Sequence, residues 1–154
     1  MRTSACLVPG IILMSMCLDV GWIVTDARRA VPHAIDVVAP SGVMRVEVAD
    51  SARTRAAGLS NRDVVDRDGL LLEWSAPGRH PIWMVNMRFP LDLAWLDHDG
   101  RVLAVLTDVP PCPNQPCPLY EPPGTDRSVA VLETPAGSMA RRGIQPDAHL
   151  WRSR

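Results

Sequence analysis

Apolar residues between positions 35 and 151 occur in short runs or alternate with polar ones, and turn-forming residues separate the runs. This spacing is typical of β-strands that bury one or both faces. Asp99-Gly100 lies between two apolar runs of similar length, which predicts a hairpin. The predicted strands cover residues 35–38, 43–48, 70–74, 82–85, 91–96, 101–106, 129–132 and 149–151.

Two short segments show helical features instead. Ser51 can cap a helix over residues 51–58, and Gly58 can end it in a left-handed conformation. A second helix is predicted over 135–142, with Gly143 just past its end. The whole pattern predicts a mainly β protein: a compact β-sandwich or partly open barrel with one or two short helices.

The N-terminal segment follows a different pattern. An apolar run over 11–18 ends near the small-residue sequence Thr25-Asp26-Ala27, which resembles a cleavage site. We therefore expect residues 1–27 to be a signal peptide or membrane anchor, 28–42 a linker and first strand, and 43–154 one β domain. A misassigned start codon is the alternative. The expected location is extracytoplasmic (periplasmic, cell-envelope or secreted), with membrane attachment only through an uncleaved N-terminal segment.

The basic and acidic residues of the chain limit the reactions and the partners that the protein can have. All 16 basic residues are arginine, so lysine Schiff bases, lysine general bases and the P-loop lysine are excluded. Once residues 1–27 are removed, basic and acidic residues balance. A neutral domain has no long-range attraction for a phosphate backbone, so we expect no nucleic-acid partner.

Several blocks of sequence resemble a prokaryotic family catalogued as domain of unknown function 192. The centre of the resemblance is Trp-Met-Val-Asn at 83–86, then Pro-Leu-Asp at 90–92 and Gly-Arg-Val at 100–102. The resemblance implies the same β fold, and the family has no established activity to transfer. The other matching blocks, in the same order as in the family, are 55–62, 69–72, 116–120 and 132–137.

The sequence also departs from the family pattern. Ser60, Val85 and Met87 stand where the family usually has Met, Lys and Thr, and Asp147-Ala148 replaces a terminal Gly-Asp. If a polar cluster around the Lys and Thr carries chemistry in relatives, this chain has lost part of it at Val85 and Met87, which weighs against an inherited enzymatic role.

The proline-rich loop over 110–124 carries Cys112 and Cys117. In an exported protein, two cysteines this close predict a disulfide bond. A metal or redox role and free thiols remain alternatives. The spacing is not the Cys-x-x-Cys of oxidoreductases, and two thiolates alone do not complete a zinc site.

Four residues within or just beyond predicted strands are candidates for chemistry or structure. Trp83 belongs either to the core or to a binding surface, and Asn86 either fixes a turn or lies at the mouth of a cleft. Asp92 lies in an apolar strand and needs a partner, for which Arg55, Arg62 or Arg88 are candidates. With Glu133, it could alternatively form a carboxylate pair for acid/base catalysis.

The leading hypothesis is a small extracytoplasmic domain that binds a small ligand or a protein without catalysis. Its expected binding residues are Trp83, Asn86 and Tyr120, with no metal and no cofactor. The first alternative is a hydrolase-like enzyme that uses Asp92 and Glu133 with Asn86 as a polar orienter. The second is a metal or redox accessory protein built on Cys112 and Cys117.

Overall fold

Strands from both ends of the sequence meet in one main sheet. A computed structural model describes residues 33–63 and 65–152. The predicted signal peptide or anchor, residues 1–27, lies outside the described residues. In chain order the elements are β1 (Ala34–Ala39), β2 (Gly42–Ala49), α1 (Ala52–Ala57), β3 (Gly69–Gly78), β4 (Ile82–Trp83), β5 (Leu91–Leu96), β6 (Val102–Val109), β7 (Leu119–Tyr120), β8 (Ser128–Pro135), α2 (Ser138–Arg142) and β9 (Trp151–Arg152).

The main sheet has seven strands in the order β6-β5-β8-β3-β2-β1-β9. Neighbouring strands run antiparallel, except that β2 and β3 are parallel. The sheet is not closed into a barrel, although an isolated bridge between Arg101 and His149 links its two ends. The predicted mainly β fold with two short helices is therefore confirmed, and the sheet has the form of a partly open barrel.

Local capping explains where α1 begins and where α2 ends. The Ser51 side chain accepts a hydrogen bond from the Thr54 amide at 3.1 Å, and the Ser51 amide donates to the Thr54 hydroxyl at 3.0 Å. This reciprocal pair satisfies amides that the first turn of α1 leaves free. Gly143 ends α2 in a left-handed conformation with φ 68°, as its position after the helix predicts.

Several boundaries differ from the sequence prediction. Strand β3 continues to Gly78 through an irregular register, and β4 is only two residues long. Part of the proline-rich loop forms β7, which pairs with β4 in a separate two-stranded sheet. Pro135 belongs to β8 rather than α2, because the left-handed Gly137 separates the two elements.

The main sheet buries side chains on both of its faces. In antiparallel pairs, residues directly opposite each other point to the same face, and neighbours along a strand alternate. Asp92 lies opposite Thr134, whereas Leu93 lies opposite Glu133. We call the two sides the Asp92 face and the Glu133 face. The Asp92 face packs Leu71, Ala94, Leu96, Leu132 and Met139. The Glu133 face packs Leu70, Leu72, Leu91, Leu93, Trp95 and Val131.

Within residues 33–63 and 65–152, no helix has the length and apolar content needed to cross a membrane.

Candidate functional site

A pocket of about 280 Å³ opens on the Glu133 face, between α1 with its following turn and β4. The turn after α1 supplies Gly58, Leu59 and Ser60, and the sheet supplies the floor. Most wall residues are apolar, with a few polar groups at the floor and the mouth. The lining residues are Ala52, Arg55, Ala56, Ala57, Gly58, Leu59, Ser60, Leu72, Trp74, Pro81, Ile82, Trp83, Met87, Leu91 and Glu133.

Glu133 is the ionisable residue of the pocket floor. Its residue is only 5% exposed, and β8 holds it between β3 and β5, opposite Leu70 and Leu93. Gly69 permits this close packing, because a Cβ there would lie 2.4 Å from the Glu133 carbonyl oxygen. Among the described residues, no group donates a hydrogen bond to the Glu133 carboxyl. Burial raises the pKa of Glu133 to about 7, and the nearby Arg62 charge offsets only part of the rise.

Arg62 is already engaged with another buried carboxylate. Its Nη1 donates to both carboxylate oxygens of Glu47, each at 2.9 Å. Glu47 is 4% exposed and lies across from Leu70 on β2, on the same face as Glu133. The arginine therefore pairs with Glu47 by direct hydrogen bonds and reaches Glu133 only through longer-range attraction.

The mouth of the pocket carries aromatic and cationic groups. The Arg55 guanidinium lies 5.2 Å from the centre of the Trp74 ring, and Trp74 stacks on His80 with ring centres 4.0 Å apart. Arg55 Nη1 donates to the carbonyl oxygens of Asp50 at 2.6 Å and Glu73 at 2.8 Å. These contacts fix a positive charge at the entrance, and burial lowers the pKa of His80.

Trp83 projects beside the pocket with 52% of its surface exposed. In the small sheet it lies opposite Leu119, which is 62% exposed, whereas the inward residues are Ile82 and Tyr120. The two exposed side chains share one face of the pair and form an apolar ridge, the Trp83–Leu119 ridge.

The Cys112–Cys117 disulfide lies in the loop that carries Leu119 of this ridge. The bond predicted from the sequence is formed, with the two Cα atoms 5.8 Å apart. The Cys112 amide donates to the Met84 carbonyl oxygen at 3.0 Å, and Cys112 forms a bridge with Val85. The disulfide thus fastens the proline-rich loop beside β4. With both sulfurs bonded to each other, neither is a thiolate that could bind a metal.

Comparison with known proteins places this fold in a family. The family model DUF192, described as "Uncharacterized ACR", matches residues 35–151. The chain belongs to the DUF192 family. The sequence resemblance is therefore confirmed, and the match spans both faces of the main sheet.

Two solved structures share the architecture of this DUF192 chain. A Sinorhizobium meliloti protein, named as a candidate transcription regulator, is 24% identical, with a TM-score of 0.65 over 77% of this chain and 92% of its own. A Novosphingobium aromaticivorans protein of unknown function is 28% identical, with a TM-score of 0.64 over 78% of this chain and 84% of its own. None of the curated proteins matches the sequence.

Asp92 has a structural role in this DUF192 fold. It is fully buried, and its carboxylate accepts hydrogen bonds from the Asp108 amide at 3.0 Å and the Met139 amide at 3.1 Å. The prediction that an arginine pairs with Asp92 is wrong. Arg62 pairs with Glu47 and Arg88 with Asp63. Free backbone amides of α2 and β6 take the place of the arginine. No sequence pattern in β5 predicts these partners.

The carboxylate pair expected for a hydrolase is not formed. Because Asp92 lies opposite Thr134 and Leu93 lies opposite Glu133, the two acids point to opposite faces of the sheet. They cannot act together on one substrate atom.

The three expected binding residues do not converge. Trp83 lines the pocket, whereas Asn86 and Tyr120 do not. Asn86 adopts a left-handed conformation with φ 56°, and its carbonyl oxygen accepts the Asn61 amide at 2.9 Å. It fixes a turn, the simpler of its two sequence interpretations. Tyr120 packs inward against the hydrophobic residues of the Glu133 face.

The sequence reasoning missed the residues that close the pocket. Arg55, Gly58 and Ser60 lie in a block that resembles the family, but the sequence did not indicate that they line a pocket. Ser60 donates to the Val85 carbonyl oxygen at 2.8 Å and so ties the turn after α1 to the segment after β4. The signal that could have found the pocket was this block following a short capped helix.

A second, more polar hollow of about 630 Å³ lies at the β5–β6 hairpin. Ligand atoms of Asp97, His98 and Asp99 lie within 4.8 Å of one another there. However, Asp97 Oδ1 accepts the amides of Asp99 at 3.1 Å and Arg101 at 3.0 Å, which is turn geometry. The hairpin turn therefore explains this cluster.

Proposed function

We propose that this DUF192 domain binds a small, largely apolar ligand in the pocket between α1 and β4, as a binding module. The observation that carries the proposal is Glu133: a buried carboxyl that opens into an apolar pocket, with no hydrogen-bond donor among the described residues. Burying such a group costs free energy unless a partner satisfies it. A bound ligand can supply that partner, whereas a purely structural carboxylate would have found one within the fold.

Trp83 supports the same proposal from the outside of the pocket. A tryptophan that is 52% exposed gives little stability to the fold, yet it lines the pocket. Apolar walls, aromatic side chains and a few directed polar groups are the usual composition of small-molecule sites. The volume of about 280 Å³ lies near the lower end of the range for such sites, which favours a small ligand.

The location that we propose is outside the cytoplasm. The Cys112–Cys117 disulfide supports it, because such bonds persist mainly in oxidising compartments. The apolar segment predicted over residues 11–18 supports it as well. The name of the Sinorhizobium meliloti protein is not carried over, because 24% identity is evidence for the fold alone.

A fragment titration followed by NMR tests the binding function. The full chain, labelled with ¹⁵N, is titrated with a library of fragment-sized compounds. We expect resonance shifts at the Trp83 indole N–H and at the Gly58 and Leu59 amides. No shifts are expected in the hairpin turn around His98.

A matched pair of variants completes the test. Trp83→Ala should weaken binding of the best fragment about tenfold, since aromatic anchors carry much of the binding free energy. Val43→Ala is the control, because Val43 is also exposed, at 56%, but lies outside the pocket. Unchanged thermal unfolding of both variants shows that the fold is intact. If no fragment binds, or if the shifts cluster away from Trp83 and Gly58, the proposed function is wrong.

A further inference from the structure

We propose that the ligand carries one primary ammonium group at the end of an apolar chain. Glu133 receives the ammonium at the floor, and Arg55 at the mouth excludes a second cation. This inference rests on the proposed function, since it names the ligand class of the same pocket.

The first step concerns what the Glu133 carboxyl lacks. An ionised carboxylate accepts hydrogen bonds and donates none, so in a dry pocket it needs a cation or several donors. Within the described residues it receives no hydrogen bond, and the Nη1 atom of nearby Arg62 is committed to Glu47. The described residues therefore leave room at this carboxyl for a donor or a cation that a ligand brings.

The second step compares ligand head groups. An ammonium brings three donors and a compact positive charge, which matches a carboxylate in a narrow site. A hydroxyl brings one donor and no charge. A ligand carboxylate would place two negative charges together, which disfavours ionisation of both. Gly58 borders the carboxyl without crowding it, because even a Cβ there would lie 3.9 Å from Glu133 Oε2, at ordinary van der Waals distance. A compact ammonium group can therefore approach this oxygen.

The third step concerns the rest of the ligand. Leu72, Ile82, Met87 and Leu91 line the pocket, so its walls suit an alkyl chain. At the mouth, Arg55 bonds through Nη1 to two main-chain oxygens and forms no ion pair with a described carboxylate. Its charge is not neutralised there. A second ammonium at the outer end of the ligand would meet this charge and bind less well.

The fourth step links binding to protons. Glu133 is mostly neutral below its pKa of about 7, and the charged groups near it or at the pocket mouth are Arg62, Glu47, Arg55 and His80. When an ammonium binds, the neutral carboxyl loses its proton to the solvent and becomes the carboxylate partner. Binding at pH 6 should therefore release close to one proton, whereas binding at pH 8.5 should release almost none. An alcohol should release none at either pH.

Isothermal titration calorimetry of the full chain tests this with four probes of equal length: hexylamine, hexanol, hexanoate and 1,6-diaminohexane. We expect hexylamine to bind about tenfold more tightly than hexanol, since a charge-assisted hydrogen bond is roughly twice as strong as a neutral one. Hexanoate should bind most weakly, and the diamine several-fold more weakly than hexylamine. Repeating the pH 6 titration in two buffers of different ionisation enthalpy measures the released proton.

Variants test the two named residues. Glu133→Gln should reduce hexylamine binding to the level of hexanol and leave hexanol unchanged, and the proton release should disappear. Arg55→Gln should bring the diamine closer to hexylamine, whereas Arg55→Lys, which keeps the charge, should not. The proton release of the parent protein is independent of how well any variant folds.

The outcomes separate this inference from the proposed function. If hexanol or hexanoate binds as tightly as hexylamine, or if no proton is released at pH 6, the ammonium assignment is wrong. The same holds if all four probes fail while another fragment shifts Trp83 and Gly58 in the NMR titration; the proposed function then stands. If no compound of any class binds at the pocket, both are wrong.

Discussion

Asp92 and Glu133 are two buried acids on neighbouring strands, one register position apart, and they face opposite sides of one sheet. On its face, Asp92 accepts two backbone amides, from Asp108 and Met139. On the other face, Glu133 accepts no hydrogen bond from the described residues and opens into the pocket. The same sequence signal, an acid within an apolar strand, thus has two different physical outcomes.

The difference shows which of the two acids is available for function. The Asp92 carboxylate has a structural role, because it accepts hydrogen bonds from amides that would otherwise be buried without partners. Glu133 accepts no hydrogen bond from the described residues, and its burial carries a desolvation cost. This cost is the reason that its pKa is raised to about 7. A buried carboxyl that destabilises the fold and lines a pocket is a better candidate for ligand recognition than one that stabilises the fold.

The largest expected effect is a loss of stability in Asp92→Asn. An asparagine has one acceptor oxygen, and its NH₂ group would face one of the two amides. We expect a loss of about 2–4 kcal/mol in the free energy of unfolding, from a lost charge-assisted hydrogen bond and a buried donor without an acceptor. Chemical denaturation measures it. A variant as stable as the parent would remove the structural role assigned to Asp92.

The next effect has the opposite sign and depends on pH. The ordinary pKa of Glu133 is 4.5 and its folded pKa is about 7. Below pH 4.5 Glu133 is protonated in both the folded and the unfolded state, so its ionisation does not affect the free energy of unfolding there. As pH rises from 4.5 to 7, the unfolded state releases its proton first, and stability falls; above pH 7 the penalty is constant.

Glu133→Gln removes this penalty. The variant should therefore unfold with a free energy about 2–3 kcal/mol higher than the parent at pH 8, and with little difference at pH 4. Parallel urea titrations at the two pH values measure the change, with Asp92→Asn as the control for a carboxylate that supports the fold. If Glu133→Gln is less stable than the parent at pH 8, Glu133 supports the fold as Asp92 does, and the contrast between the two acids is wrong.

A third effect, of about 2 kcal/mol, concerns the disulfide beside the pocket. Replacing both Cys112 and Cys117 by serine opens a short loop, and the chain-entropy estimate gives a loss of about 2 kcal/mol. Because the loop packs beside β4, the Trp83 indole resonance should move, whereas the Met139 amide bound to Asp92 should keep its protection from hydrogen exchange. Equal loss of protection on both faces would contradict the separation between them. Non-reduced peptide mass spectrometry checks the bond in the parent.

Much of the fold could be predicted from the sequence, because strand alternation, the Asp99-Gly100 hairpin and the Ser51 cap act locally. The disulfide was also predictable from the spacing of Cys112 and Cys117. Strand β7 was missed, because its pairing with β4 is a tertiary contact made by a proline-rich loop.

The site was less predictable for a related reason. Alternation along β5 shows that Asp92 shares a face with Ala94, but only the pairing of β5 with β8 shows that Glu133 faces the other way. The partners of Asp92 are backbone amides, which have no sequence signature. Trp83 does not belong to the core, because it is half exposed, and its exposure depends on what packs beside it.

The smallest effect concerns Thr134, which lies directly opposite Asp92. Its hydroxyl is fully buried and has no hydrogen-bond partner within the described part of the chain, so the Asp92 face also contains an unsatisfied polar group. Thr134→Val keeps the shape and removes the hydroxyl, and should stabilise the protein by about 0.5–1 kcal/mol without changing fragment binding.

Thr125 provides the matched control for this last variant. It is 1% exposed, and its hydroxyl donates to the Pro122 carbonyl oxygen at 2.7 Å. Thr125→Val should therefore lower the free energy of unfolding by about 1 kcal/mol, because a buried acceptor loses its donor. Thermal and urea unfolding of both variants decide the point. If Thr134→Val destabilises the protein as much as Thr125→Val does, the Thr134 hydroxyl has a partner in solution, and the Asp92 face is then fully satisfied. In that case no buried side-chain polar atom of the described Asp92 face lacks a partner, and the contrast with Glu133, which receives no hydrogen bond from the described residues, becomes sharper.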